Sequence, residues 1–183
     1  GYGVTFFTIL MQENDVTAPV NPTSATPNCT ASNNAWQNTC ADPNFTWSGA
    51  SDGGSGVDGY YLYWGTSSTG TSTTYTTNLG YNPAAVSSGT YYMRVQTRDK
   101  VGNLAAWKTI YTFKYDNTPP SVPTSATDSL GVVSGVAQST KYDPNFTWTL
   151  SSDSHSGLAG YNVYWGTSST GNTVTAFTTT AGF

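Results

Sequence analysis

One histidine, two cysteines and ten acidic residues hold most of the chemical capacity of this chain. His155 lies in Ser151-Ser-Asp-Ser-His-Ser-Gly157, where serine, histidine and aspartate crowd together. Nucleophilic catalysis needs these types to converge so that a base reaches the hydroxyl and a third group orients the base. Neighbours in one polar loop do not meet that condition, so a turn is the simpler reading. The acids are nine Asp and the single Glu13. Most fall in turn-like segments, where Asp bonds its own backbone, and a paired-carboxylate glycosidase would also need a cleft to hold the pair. The residues predict no enzyme. Cys29 and Cys40 suit a disulfide closing an Asn-rich loop, which implies an oxidising compartment, or else two buried thiols. Two cysteines and one distant histidine do not make a metal site.

The elements that position these residues are repeated. Asp42-Pro-Asn-Phe-Thr-Trp47 returns as Asp143-Pro-Asn-Phe-Thr-Trp148, an offset of 143 − 42 = 101. Tyr63-Trp-Gly-Thr-Ser-Ser-Thr-Gly70 returns at the same offset as Tyr164 to Gly171, and Pro22-Thr-Ser-Ala-Thr26 as Pro123 to Thr127. Extended without a gap, the register sets Gly1 opposite Gly102, Ile9 opposite Ile110 and Phe183 opposite Asn82. It divides the chain into an N-terminal strand (1–14), a full module (15–116) and an incomplete one (117–183). Such an array points to an extended extracellular protein.

Composition agrees. Only 9% of residues are charged, while aromatic content is 14%; disordered chains are poor in aromatic and β-branched residues. An all-β fold with many turns and a hydroxyl-covered surface fits better. A net charge of −4 with six basic residues argues against nucleic acid, whose phosphates need a basic face. No apolar run approaches the roughly 20 residues of a membrane helix.

Alternation marks the strands. Phe45 and Trp47 share one face, as do Tyr60, Leu62 and Trp64. The second copy identifies the inward side: Tyr60, Leu62 and Trp64 become Tyr161, Val163 and Trp165, whereas Tyr61 becomes Asn162. Two equivalent cores around Trp47 and Trp64, and around Trp148 and Trp165, are therefore expected. In Thr90 to Arg98, Tyr91, Met93 and Val95 point inward; in Lys108 to Tyr115 the lysines point outward. The Pro119-Pro-Ser-Val-Pro123 opening, the inward Trp148, the Gly-Tyr-x-Val-Tyr strand at 160–164, Gly89-Thr-Tyr-Tyr-Met-Arg-Val95 and Asp99-Lys-Val-Gly-Asn103 together resemble a fibronectin type III or bacterial Ig-like repeat. That resemblance implies tandem two-sheet antiparallel β-sandwich modules and no particular activity.

Three kinds of site remain open. Asp116, where one module hands over to the next, can join Asp99 and Asn103 as oxygen ligands for Ca²⁺, or all three can serve turns and caps; no other cofactor is expected. Tyr61, Tyr63 and Tyr164 can form a sugar-stacking platform, or be ordinary strand residues on a solvated face. Asn28, Asn44 and Asn145 head Asn-x-Thr sequons, making covalent glycan a candidate partner. Val4, Phe6, Phe7, Ile9, Leu10 and Met11 are apolar on both faces of a would-be strand. Such a strand asks for burial on both sides and, left free, is an aggregation hazard. Inserted into the incomplete module of the next chain, it would give an open-ended head-to-tail homopolymer by strand donation, resembling pilus assembly. The first expectation is thus a glycosylated extracellular fibre subunit at the cell surface. The alternative is a spacer or carbohydrate-binding pair of Fn3-like modules within a large adhesin or polysaccharide-degrading enzyme.

Overall fold

The computed structural model describes residues 14–183. The assembly strand expected at Val4–Met11 lies outside them. The described chain is all-β, as the sequence predicts, and divides into two compact units between Tyr115 and Asp116.

The first unit is a two-sheet sandwich. One sheet has the order β1-β3-β6, built from Ala25–Pro27, Phe45–Trp47 and Gly80–Tyr81. The other has the order β2-β8-β7-β4-β5, built from Trp36–Gln37, Lys108–Tyr115, Gly89–Asp99, Val57–Gly65 and Thr74–Thr76. Every pairing is antiparallel except β2 with β8, which is parallel. Alternation decides what the sheets enclose. Phe45 and Trp47 from the small sheet meet Leu62, Met93, Val95, Ile110 and Phe113 from the large one, all buried. Phe45 is the hub: its ring centroid is 5.2 Å from that of Trp64, 5.3 Å from Tyr111 and 6.2 Å from Phe113. A register shift between Met93 and Arg94 lets consecutive residues Ile110 and Tyr111 of β8 both lie inward, as a bulge allows.

Cys29 and Cys40 are joined by a disulfide that closes the loop carrying β2. Cys40 is buried and Cys29 packs against the same core, so the bridge ties an irregular loop to the sandwich.

The second unit repeats the first strands of this plan. Strands β9 (Ala126–Asp128) and β10 (Phe146–Trp148) pair as β1 and β3 do; β11 (Tyr161–Val163) and β12 (Ala176–Thr178) pair as β4 and β5 do. Ring pairs recur too: Phe146 with Trp165 at 5.2 Å, and Trp148 with Tyr161 at 5.3 Å. The gapless period needs correcting. Tyr61 faces Tyr75, whereas its counterpart Asn162 faces Phe177, and 177 − 75 = 102. Gly182 and Phe183 meet Thr147 and Phe146 as Gly80 and Tyr81 meet Thr46 and Phe45. One residue is therefore inserted after Gly171, in the turn between β11 and β12, where extra length displaces no packed side chain.

The two cores are also not equivalent. Counterparts of β7 and β8 are absent among the described residues of this unit, so nothing stands where Met93, Val95 and Phe113 stand in the first. Trp165 is consequently 56% exposed, and Phe146 and Trp148 are only half-buried. The expected burial of Trp165 is not seen among the described residues, which hold no counterpart of the β7 and β8 strands that cover the first core. Tyr161 is buried while Asn162 is exposed.

Candidate functional site

Three carboxylates of the first unit gather together. Single oxygens of Asp15, Asp52 and Asp99 lie within 4.8 Å of one another. Each is held by turn amides. Asp15 accepts from the N–H groups of Thr17 (3.0 Å) and Ser55 (2.7 Å), and Asp52 Oδ2 from those of Gly54 and Gly56. Asp99 Oδ1 accepts from the backbone of Val101, Gly102 and Asn103, and its Oδ2 accepts 2.7 Å from Asn103 Nδ2. The Asn103 amide also reaches the Asp15 carbonyl at 3.0 Å. Backbone hydrogen bonds from Ser55 and Thr17 hold the Asp15 carboxyl below its ordinary pKa. Burial pushes the Asp99 carboxyl up, but hydrogen bonds from Asn103, Gly102 and Val101 outweigh it and the value lies below the ordinary one. Such donors favour the ionised form.

Of the residues expected for calcium, Asp99 and Asn103 lie in this cluster, together with Asp15 and Asp52. Asp116 belongs to the second unit and plays the part of Asp15 there, accepting from Thr118 N and Ser156 N at 3.0 Å each. Asp153 repeats Asp52, accepting from His155 N and Gly157 N. In both units these paired acids accept hydrogen bonds from turn amides. His155 Nδ1 is 3.1 Å from Ser154 Oγ and 3.9 Å from Asp116 Oδ1. That serine is the adjacent residue in the same loop, as the sequence suggests.

The aromatic platform also resolves residue by residue. Tyr63 is taken up by its own hairpin. Its hydroxyl accepts from Ser67 N at 3.0 Å, and its ring lies over Gly65 and Gly70, so closely that a Cβ on either would collide with it. Tyr164 repeats this with Ser168, Gly166 and Gly171. Both tyrosines are locks for a Gly-rich turn and are removed from the sugar-stacking set. Tyr61 remains. It stands mid-sheet on the outward face of β4, with Tyr75 opposite on β5 and Gln96 opposite on β7.

Beside Tyr61 the outward face forms a groove of about 730 Å³, whose far wall is Leu104 and Trp107. Sequence reasoning missed this wall because Trp107 sits in a loop, outside any alternation. A lone tryptophan four residues past the Asp99–Asn103 turn was the available signal. Arg94 anchors both sides: its guanidinium lies 5.9 Å from the centre of the Trp107 ring and donates to the carbonyls of Gly70 and Trp107. The sequon residues Asn28, Asn44 and Asn145 are all exposed.

Against known proteins, no family model and no solved structure matches the chain. It is similar to Exoglucanase B of Cellulomonas fimi, 34% identical over 178 residues, covering 92% of this chain. The chain spans 14% of that protein's length.

Proposed function

We propose that the chain is a pair of non-catalytic Fn3-like modules within a longer, secreted polysaccharide-degrading protein, where it acts as a spacer. One observation carries this reading: alignment across nearly the whole chain with a small fraction of an exoglucanase. The fold is compatible with it, since Asp15, Asp52 and Asp99 are each held by backbone amides of the sandwich's turns. The Cys29–Cys40 bridge suits an oxidising, extracellular setting. Exposed Asn44 and Asn145 suit attached sugar, which would supply solubility to a surface short of charge. The fibre reading rests on Val4–Met11, outside the described residues, and gains nothing from the similarity.

Sequencing the gene through both ends of this segment tests the proposal. The frame is expected to continue past Phe183 into a Tyr-Tyr-x-Arg-Val-like strand and to encode a glycoside hydrolase elsewhere. A stop codon at that point, with no hydrolase in frame, overturns the module reading and returns the fibre to first place.

A further inference from the structure

We propose that the outward groove of the first unit binds a neutral sugar chain, with Tyr61 and Trp107 as its stacking walls. The inference rests on the accessory-module reading for its choice of ligand class and on the geometry for its location. The groove, about 730 Å³, falls within the roughly 300–1,000 Å³ usual for small-ligand clefts. Tyr61, Thr71, Thr73, Gln96, Leu104 and Trp107 line it.

Each wall has the chemistry that a pyranose asks for. A sugar ring presents C–H groups on its faces and hydroxyls around its edge. Aromatic faces take the first through dispersion and desolvation, while amides and hydroxyls take the second. Tyr61 leans edge-on against Tyr75, ring centroids 5.4 Å apart. Tyr75 is itself fixed by its hydroxyl, which donates to Asp58 Oδ2 at 2.7 Å. Trp107 is fixed by Arg94 stacking over it. Gln96, between the walls, donates its amide nitrogen to the Ala105 carbonyl at 2.8 Å, which leaves the amide oxygen to accept from a sugar hydroxyl. Threonines of the 71–73 turn supply hydroxyls along the rim.

Charge selects the ligand class. No Asp, Glu, Lys, Arg or His lines the groove. Arg94, stacked against the Trp107 ring, is buried and directs its guanidinium to two carbonyls. An uncharged polyhydroxyl chain needs no charged partner, and none of the lining residues offers one. The repeat provides an internal comparison. At the Tyr61 position the second unit carries Asn162, and its described residues include no counterpart of Trp107. The aromatic side chain at the Tyr61 position is therefore particular to the first unit.

Titrating the full 183-residue chain with cellohexaose, with an oligogalacturonate as the acidic comparison, tests the proposal by calorimetry and tryptophan fluorescence. Saturable binding of cellohexaose and none of the acid is expected. Trp107→Ala and Tyr61→Ala should each weaken binding about tenfold or more, with unchanged near-ultraviolet dichroism from the core. Trp165→Ala, which removes the exposed tryptophan of the other unit, should leave binding unchanged. Absence of saturable binding to cellohexaose overturns the site, as does wild-type affinity in both groove variants or loss of binding in Trp165→Ala. These outcomes leave the spacer reading standing, because its own failure is read in the gene and not in the titration.

Discussion

Phe45 and Phe146 occupy the same place in identical Asp-Pro-Asn-Phe-Thr-Trp segments, yet truncating them should have very different costs. Phe45 has no exposed surface and meets Trp64, Tyr111 and Phe113. Its removal leaves a cavity among aromatic side chains that cannot all collapse inward, so Phe45→Ala should cost about 3–5 kcal/mol. Phe146 is half-buried and has one aromatic neighbour, Trp165, itself 56% exposed. Water already reaches that site, so Phe146→Ala forfeits part of a transfer term and opens no closed void, about 1 kcal/mol. Hydrogen exchange read by mass spectrometry separates the two units in one experiment. Amides of β7, central in the large sheet, exchange through global opening of the first unit. Phe45→Ala should speed them by about two to three and a half orders of magnitude, since 1.4 kcal/mol is about tenfold. Phe146→Ala should speed exchange in β9 and β10 by less than about tenfold and leave β7 untouched. Equal acceleration by the two variants would falsify the claim that cover from β7 and β8 distinguishes the cores.

Other outcomes follow from single contacts. Acid should destabilise the first unit. Asp15 and Asp99 have folded pKa values below their ordinary 3.8, so their stabilisation is full above that value and is lost as pH falls below it through the folded values. Urea midpoints at successive pH values should show this loss, and Asp99→Asn should flatten it. The Cys29–Cys40 bridge spans 11 positions; replacing both with Ser should cost about 3 kcal/mol in denaturant melts, and alkylating the intact protein without reductant should add no label. Gly70→Ala should destabilise the turn by about 1–3 kcal/mol because its Cβ meets the Tyr63 ring; Tyr63→Phe, which removes only the acceptor for Ser67 N, should cost about 1 kcal/mol. A melt in which the tyrosine variant is the worse of the two would contradict the lock. Mass spectrometry of native material should find sugar at Asn44 or Asn145, and bare peptides at both would remove glycan from the reading.

Strand identity and facing were legible because they are local. Side chains alternate along any extended backbone, so Phe45 with Trp47, and Tyr60 with Leu62, declared their common side before any neighbour was known. Two copies sharpened this, since Asn162 marks the face that tolerates water. Turn acids were legible for the same reason: Asp52 and Asp153 bond amides two and four residues away, within reach of sequence spacing alone. Tertiary structure decided whatever depends on residues far apart in the chain. Trp165 has the sequence of a core residue, but its burial depends on strands like β7 and β8 that come from far along the chain and are not among the described residues of its unit. Asp15 meets Asp99 across 84 positions, and Trp107 faces Tyr61 across a groove whose walls come from a loop and a strand. The inserted residue in the β11–β12 turn was invisible in repeats that match on both sides of it until pairing fixed the register. Alternation, capping and turn chemistry act over a few residues and are written in order along the chain. Enclosure, juxtaposed carboxylates and the groove arise only when separate segments pack, because each needs atoms that the backbone alone does not bring together.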